Sequence, residues 1–264
     1  MAVGQDGGMP STARHRVQLT LEVLVVTVML GIAAAASPVL LAVGLAACSG
    51  VIAWGWAGAL ALPTPKGTFG VLCLGGLALV VAGVARDAAP LLGWMPAAAA
   101  LSIIGAFLHQ LLRRDGRPRV VESVSAVVFA LAVVGTGVLL VPPSRTDLGS
   151  ALVVGALAAA AASSLTDLLG TVQAARPWLT PVALLAGAGA ASGVALILDA
   201  PVLIWILLGV ASAALSHASR AVLDPLPTMA HPRPRLVAAV VSVLAVGLVP
   251  YLVALTFVPQ ALPG

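Results

Sequence analysis

The sequence predicts an all-α polytopic membrane protein: a transmembrane bundle of about nine spans, N-terminus inside and C-terminus outside. Three observations predict it. The 264 residues are 61% hydrophobic and only 8% charged, whereas soluble domains carry about a quarter charged residues. Apolar runs of bilayer-crossing length, about 20 residues, recur along the chain. Basic residues gather in alternate loops, as the positive-inside rule requires. In hydrocarbon the backbone must bond to itself, so such runs are helices.

Taken in order, the apolar runs cover residues 17–36, 38–56, 68–85, 91–112, 120–141, 148–170, 180–199, 201–222 and 235–257. Ser37-Pro38 divides the first two, and Pro63-Thr64-Pro65-Lys66-Gly67 forms a turn after the second. Arg86, Asp87 and Pro90 follow the third. The basic stretch from Arg113 to Arg119 follows the fourth, and Pro142-Pro143 ends the fifth. Asp199-Ala200-Pro201 separates the seventh from the eighth. Proline ends or kinks a helix because it lacks an N–H and clashes with the preceding turn. The two pairs split by a single proline could therefore each be one kinked element. Residues 1–16 are expected to be a disordered tail, 17–257 one helical domain, and 258–264 a short C-terminal tail. The first apolar run exceeds a signal-peptide core of about 7–15 residues, so it reads as an attached helix.

Alternating these runs puts Arg14, Arg16, Lys66, Arg113, Arg114, Arg117, Arg119, Arg176, Arg220, Arg233 and Arg235 on the inside. Only Arg86 and Arg145 lie outside. Apolar length alone delimits the spans, so this asymmetry is independent support. Arg113, Arg114, Arg117 and Arg119 are expected to meet anionic lipid headgroups. Cys48 and Cys73 lie in apolar runs and read as packing residues. Gly189 and Gly193 form a GxxxG spacing, which signals close helix packing.

Ionisable groups at membrane depth are costly and need a reason. Glu22, His109, Glu122, Asp167, His217, Arg220 and Asp224 all fall near the inner ends of their helices. The plain reading for Glu22, Glu122 and Arg220 is interfacial snorkelling. For Asp167 and His217 a second reading competes. Ser163, Ser164 and Thr166 make the chain around Asp167 polar, and Ser212, Ser216 and Arg220 recur every four residues beside His217. A spacing of four shares one helix face. A polar crevice open to the cytoplasm, built from Asp167, His217, Arg220, Asp224, His109 and Glu122, is therefore expected. Serine stripes also serve as interhelical glue.

Phosphate-loop, HExxH and GxSxG patterns are absent, as is any zinc-type Cys/His spacing. No long basic amphipathic stretch points to nucleic acid. The expectation is no metal, no cofactor and no nucleic acid, with membrane lipids and a further membrane protein as partners.

The order of features resembles the phosphatidate cytidylyltransferases, the CDP-diacylglycerol synthases. Leu111–Val124 is similar to that family's basic loop and the start of its next helix. Ser163-Ser164-Leu165-Thr166-Asp167 is similar to its Ser-Asp-Thr segment. Leu207–Leu223 stands where a helix leads into the family signature, and the loop Asp224–Arg235 stands in the place of that signature. The resemblance implies a multi-helix fold with a cytoplasm-facing, metal-dependent site that makes CDP-diacylglycerol from CTP and phosphatidic acid. The chain departs from the signature. Its Lys-Arg and Lys-Asp steps and its closing Asp-Arg-x-x-Asp are missing, and Gly170–Thr180 carries one arginine where the family has a lysine-rich loop. Phosphoryl chemistry needs cations at the transferring group. The expectation is thus a shared fold with catalysis lost: a lipid- or partner-binding scaffold. The alternatives are a small-solute transporter and a lipid-modifying transferase of cytidylyltransferase type.

Overall fold

A computed structural model describes residues 11–86, 89–114, 116 and 119–263, with side chains from Arg14 onward. The described residues are 85% helical and contain no strand. The helices are α1 (Ser11–Ala36), α2 (Pro38–Ala59), α3 (Pro65–Val84), α4 (Met95–Leu111) and α5 (Val120–Val138). They continue with α6 (Asp147–Thr166), α7 (Leu179–Ile197), α8 (Val202–Leu223), α9 (Pro232–Leu244) and α10 (Leu248–Phe257). Eight of the described helical segments are long and apolar enough to cross a membrane, with α9 and α10 together forming one of them. The ninth predicted run is the shorter α4, 17 residues, or about 26 Å against a hydrocarbon core of about 30 Å. Turns over residues 91–94 consume what the sequence placed in its first turn.

Both proline-split pairs are true hairpins. Ser37 caps α2 by accepting the Leu40 N–H at 3.1 Å, with Pro38 in the first helical turn. Leu30 then meets Gly44, seven residues to either side of Ser37. Asp199, at φ 52°, turns the chain between α7 and α8. Gly187 on α7 then packs against Gly209 and Ala213 on α8. Other pairs run antiparallel in the same register: Thr20 donates to the Ser164 carbonyl, and Ser150 to that of Ala34.

The α9–α10 span is central. Val237 through Leu244 are all buried, as expected of a helix that is apolar on every face. A 3-10 turn at Ala245–Gly247 interrupts it. Pro250 cannot donate to the Val246 carbonyl, and its ring crowds that turn. Gly247 fits the break because a Cβ there would lie 2.1 Å from the Thr136 carbonyl oxygen. One core joins α1 to α5 and α9 and takes in Val153 and Leu157 of α6; a second joins α6, α7, α8 and α10. The outer surface is a belt of exposed Leu21, Val25, Met29, Val39, Leu74, Leu185 and Leu203, among others. In water so large an apolar surface would aggregate, and in a bilayer it is solvated.

Three sequence expectations are refined. Residues 11–16 are the opening turns of α1, and not part of a tail; residues 1–10 lie outside the described residues. The segment after 257 is docked: Ala261 is fully buried, and its carbonyl accepts from Thr146 at 2.8 Å. The GxxxG pair does not pack, since a Cβ on Gly189 or Gly193 would meet nothing within 4 Å. The packed face of α7 is Ala183, Gly187, Ala191 and Ala195 instead.

Candidate functional site

The threading separates the charges into two ends of the bundle. Contacts tie the start of α1 to the ends of α6 and α8 through Arg16, Asp167 and Asp224. They tie the end of α2 to the start of α5, where Arg119 donates to the Ala61 carbonyl at 2.9 Å. Thr228, just before α9, donates to the Ala59 carbonyl at 2.6 Å. Arg14, Arg16, Lys66, Arg113, Arg114, Arg119, Arg176, Arg220, Arg233 and Arg235 thus belong to one end. At the other, Arg145 donates to the Val84 carbonyl at 3.3 Å, near Arg86. Arg117 lies outside the described residues.

Arg220 organises the polar cluster at the basic end. Its side chain is 3% exposed. Nε donates to Asp167 Oδ2 at 2.6 Å, Nη1 to Ser216 Oγ at 2.6 Å, and Nη2 to Ser163 Oγ at 3.1 Å. Arg220 and Ser216 are one turn apart on α8, and Asp167, the C-cap of α6, follows Ser163 by one turn, so two stripes zip together. His217 Nδ1 stands 3.3 Å from Asp167 Oδ1, and its Nε2 3.2 Å from Thr180 Oγ1. Arg16 donates to the Asp167 backbone carbonyl at 3.3 Å, from the first turns of α1. Helix C-terminal carbonyls lack intrahelical partners and carry partial negative charge, so a cation is well placed there. Asp224 is held separately, 3.3 Å from His15 Nε2 and 3.7 Å from Arg16 Nη2. Burying an ion pair costs desolvation that only dense hydrogen bonding offsets. The three donors of Arg220 and the two faces of Asp167 supply that density. Chemically, the cluster clasps α1, α6 and α8 together.

Of the six expected crevice residues, Asp167, His217 and Arg220 share this cluster, and Asp224 joins it only through Arg16. His109 and Glu122 do not. His109 lies over Gly67, where an added Cβ would come 1.8 Å from its ring. Glu122 is exposed and paired with Arg119 one turn away. Their helices α4 and α5 pack on α3 and on each other, whereas the cluster belongs to the α6–α8 pair. Within the expected headgroup set, Arg114 and Arg119 are exposed, whereas Arg113 is buried and donates to Gln110 Oε1 at 2.6 Å. Among the described residues, no three His, Cys, Asp or Glu side chains come together in a set that could hold a metal.

Sequence reasoning missed the Arg235–Glu22 pair, whose Nε and Oε1 are 3.1 Å apart, and the stacking of Arg233 over Trp54 at 4.0 Å. The first was foreshadowed by two opposite charges assigned to one depth on parallel spans. The second left no signal, because residues 54 and 233 meet only through the packing of α2 on α9. No family model, no curated protein and no solved structure matches the chain.

Proposed function

We propose that this integral membrane protein is a non-catalytic scaffold whose basic end faces the cytoplasm and engages anionic lipid headgroups. The supporting observation is the closure of the Asp167–Arg220 cluster. The buried carboxylate at its centre is spent on neighbours, Asp167 on Arg220 and His217, and the more exposed Asp224 lies against His15 and Arg16. An acid that binds a metal or a transferring group must keep a lone-pair face open to it. The exposure of Arg114 and Arg119, by contrast, supports a rim that meets lipid. On this reading the likeness in layout to the cytidylyltransferases is one of shared architecture, with the catalytic groups replaced by a structural clasp.

Each cationic side chain near an anionic surface contributes about 1 kcal/mol. Replacing Arg114 and Arg117 together by glutamine is therefore expected to lower the preference for phosphatidylglycerol over phosphatidylcholine roughly 30-fold. Retention of the two lipids by the purified protein, read by native mass spectrometry, measures that preference. An unchanged preference would remove the headgroup reading. CTP-dependent lipid product from the purified chain would remove the non-catalytic one.

A further inference from the structure

At the end of the bundle opposite the basic end, an open groove of about 340 Å³ lies between α3, α4 and α5. Local packing sets its depth. Ser102 on α4 lies against Gly75, in the middle of α3, and Gly83, near the far end of α3, meets Val138. The groove spans these two levels. It runs along α4 from Met95, the first helical residue, to Ile103, and along α5 from Gly135 to Val128. That is about 12 Å along α4, most of one leaflet's share, about 15 Å, of the hydrocarbon core. Small residues keep it open. Ala99 and Ala132 line it, and a Cβ on Gly135 would meet only Met95 Cε, at 4.0 Å. Gly137, on the packed side of α5, is closed off by Leu244.

Volume decides what can enter. A hydrocarbon chain is about 5 Å across at van der Waals contact and takes up roughly 240 Å³ over that length. A helix about 10 Å across would need roughly 900 Å³. The groove holds one acyl chain and is too small to seat a helix of a second copy.

The mouth of the groove carries matching headgroup chemistry. Trp94 directly precedes Met95 and is 57% exposed, and tryptophan is favoured where hydrocarbon meets headgroups. Arg86, just beyond the end of α3, extends Nη1 over the same turn, so that a Cβ on Gly93 would lie 3.3 Å from it. Arg86 is half-buried, and among the described residues it has no hydrogen-bond or ion-pair partner. The neighbouring cation of this end, Arg145, is committed to the Val84 carbonyl. A half-buried cation beside an apolar slot has lost part of its hydration, and an anion that brings its own hydrocarbon chain answers both.

We propose that the α3–α4–α5 groove binds a phospholipid of the leaflet at this end, with one acyl chain running past Ala99 and Ala132 and the phosphate at Arg86. The guanidinium donates to the phosphate oxygens, a charge-assisted contact. This site goes beyond the headgroup reading of the basic end and does not rest on it, since the two lie at opposite ends of the bundle.

Photolabelling of the full chain in dodecyl maltoside micelles tests it. The probe is phosphatidylglycerol with a diazirine near the end of one acyl chain, and adducts are located by peptide mass spectrometry. Labelling at Ile103 and Val128, at the deep end of the groove, is expected to exceed severalfold that at Leu207, which is exposed on α8. Arg86→Gln should lower the excess about fivefold, the worth of one cation near an anionic headgroup. Ala132→Phe fills the groove and should bring Ile103 down to the Leu207 level. Ala99→Leu does the same from α4 if Ala132→Phe does not fold. A diacylglycerol probe with the same chain and no phosphate should label Ile103 no more than Leu207. Equal labelling of Ile103, Val128 and Leu207 by phosphatidylglycerol would overturn the site, because the lipid would then be annular. An excess that survives both filling variants would overturn the groove. An equal excess with diacylglycerol would overturn the phosphate at Arg86. Replacing Arg114 and Arg117 by glutamine should leave labelling at Ile103 unchanged, so a failure here is distinguishable from a failure of the basic end.

Discussion

Arg220 on α8 reaches across to Asp167 at the end of α6, Nε to Oδ2 at 2.6 Å, with the guanidinium almost wholly enclosed. Removing one partner leaves the other charge buried. Asp167→Ala is therefore expected to destabilise the protein by about 3–5 kcal/mol. Replacing both groups with apolar residues, as in Asp167→Leu with Arg220→Met, should recover most of that loss, since the pair is costly to bury. Denaturant or thermal unfolding in detergent micelles checks both. If Asp167→Ala unfolds like wild type, the cluster does not clasp the three helices.

The α7–α8 contact gives a prediction with an internal control. A Cβ on Gly209 would lie 2.4 Å from the Gly187 carbonyl oxygen, and one on Gly187 would lie 2.4 Å from Ala213 Cβ. Gly209→Val and Gly187→Val should each cost about 1–3 kcal/mol through overpacking. Gly189→Ala and Gly193→Ala, on the open face, should stay within about 0.5 kcal/mol. Thermal melts of the four variants decide it, and equal melting of all four would refute the assigned face.

Trp56 is fully buried, donates Nε1–H to the Ala126 carbonyl at 2.9 Å, and stands 5.9 Å from the Phe129 ring. It links α2 to α5. Trp56→Ala should cost about 3–5 kcal/mol. Trp56→Phe keeps most of the packing and loses the hydrogen bond, for about 1–3 kcal/mol. Unfolding midpoints with an unchanged slope would confirm that only the native state is affected.

The two ends of the bundle make a topological prediction. In a background lacking Cys48 and Cys73, single cysteines at Lys66, Gly116, Arg176 and Arg233 should react with an impermeant maleimide from one side. A cysteine at Arg86 should react only from the other. In intact cells, with the basic end inside, Arg86→Cys is labelled and the other four are protected. Labelling of Lys66→Cys and Gly116→Cys from opposite sides would break the threading.

Much of this architecture was legible in the sequence because a bilayer imposes few solutions. Apolar length fixed the spans, proline and turn residues fixed most breaks, and charge fixed which loops share an end. The placement of Lys66, Arg113 and Arg233 at one end followed from counting alone. Legibility failed where a residue's partner comes from a distant span. The GxxxG spacing at Gly189 and Gly193 named the right helix and the wrong face, because motif spacing carries no information about which side a neighbour occupies. His109 and Glu122 share a depth with Asp167 but not a neighbourhood. Sequence periodicity resolves depth and is silent on the order of helices around the bundle.

What the sequence by itself determined is the solvent: side chains this apolar can be covered only by lipid or by one another, so the chain must be membrane-threaded helices. Only the tertiary structure decided which polar groups meet. Asp167 is claimed by Arg220 and His217, and the Thr68 hydroxyl is left without a partner. The physical reason is range. Hydropathy acts residue by residue along the chain, whereas a hydrogen bond needs two groups within about 3 Å. That proximity is set by how the other helices pack around α9, not by any one segment.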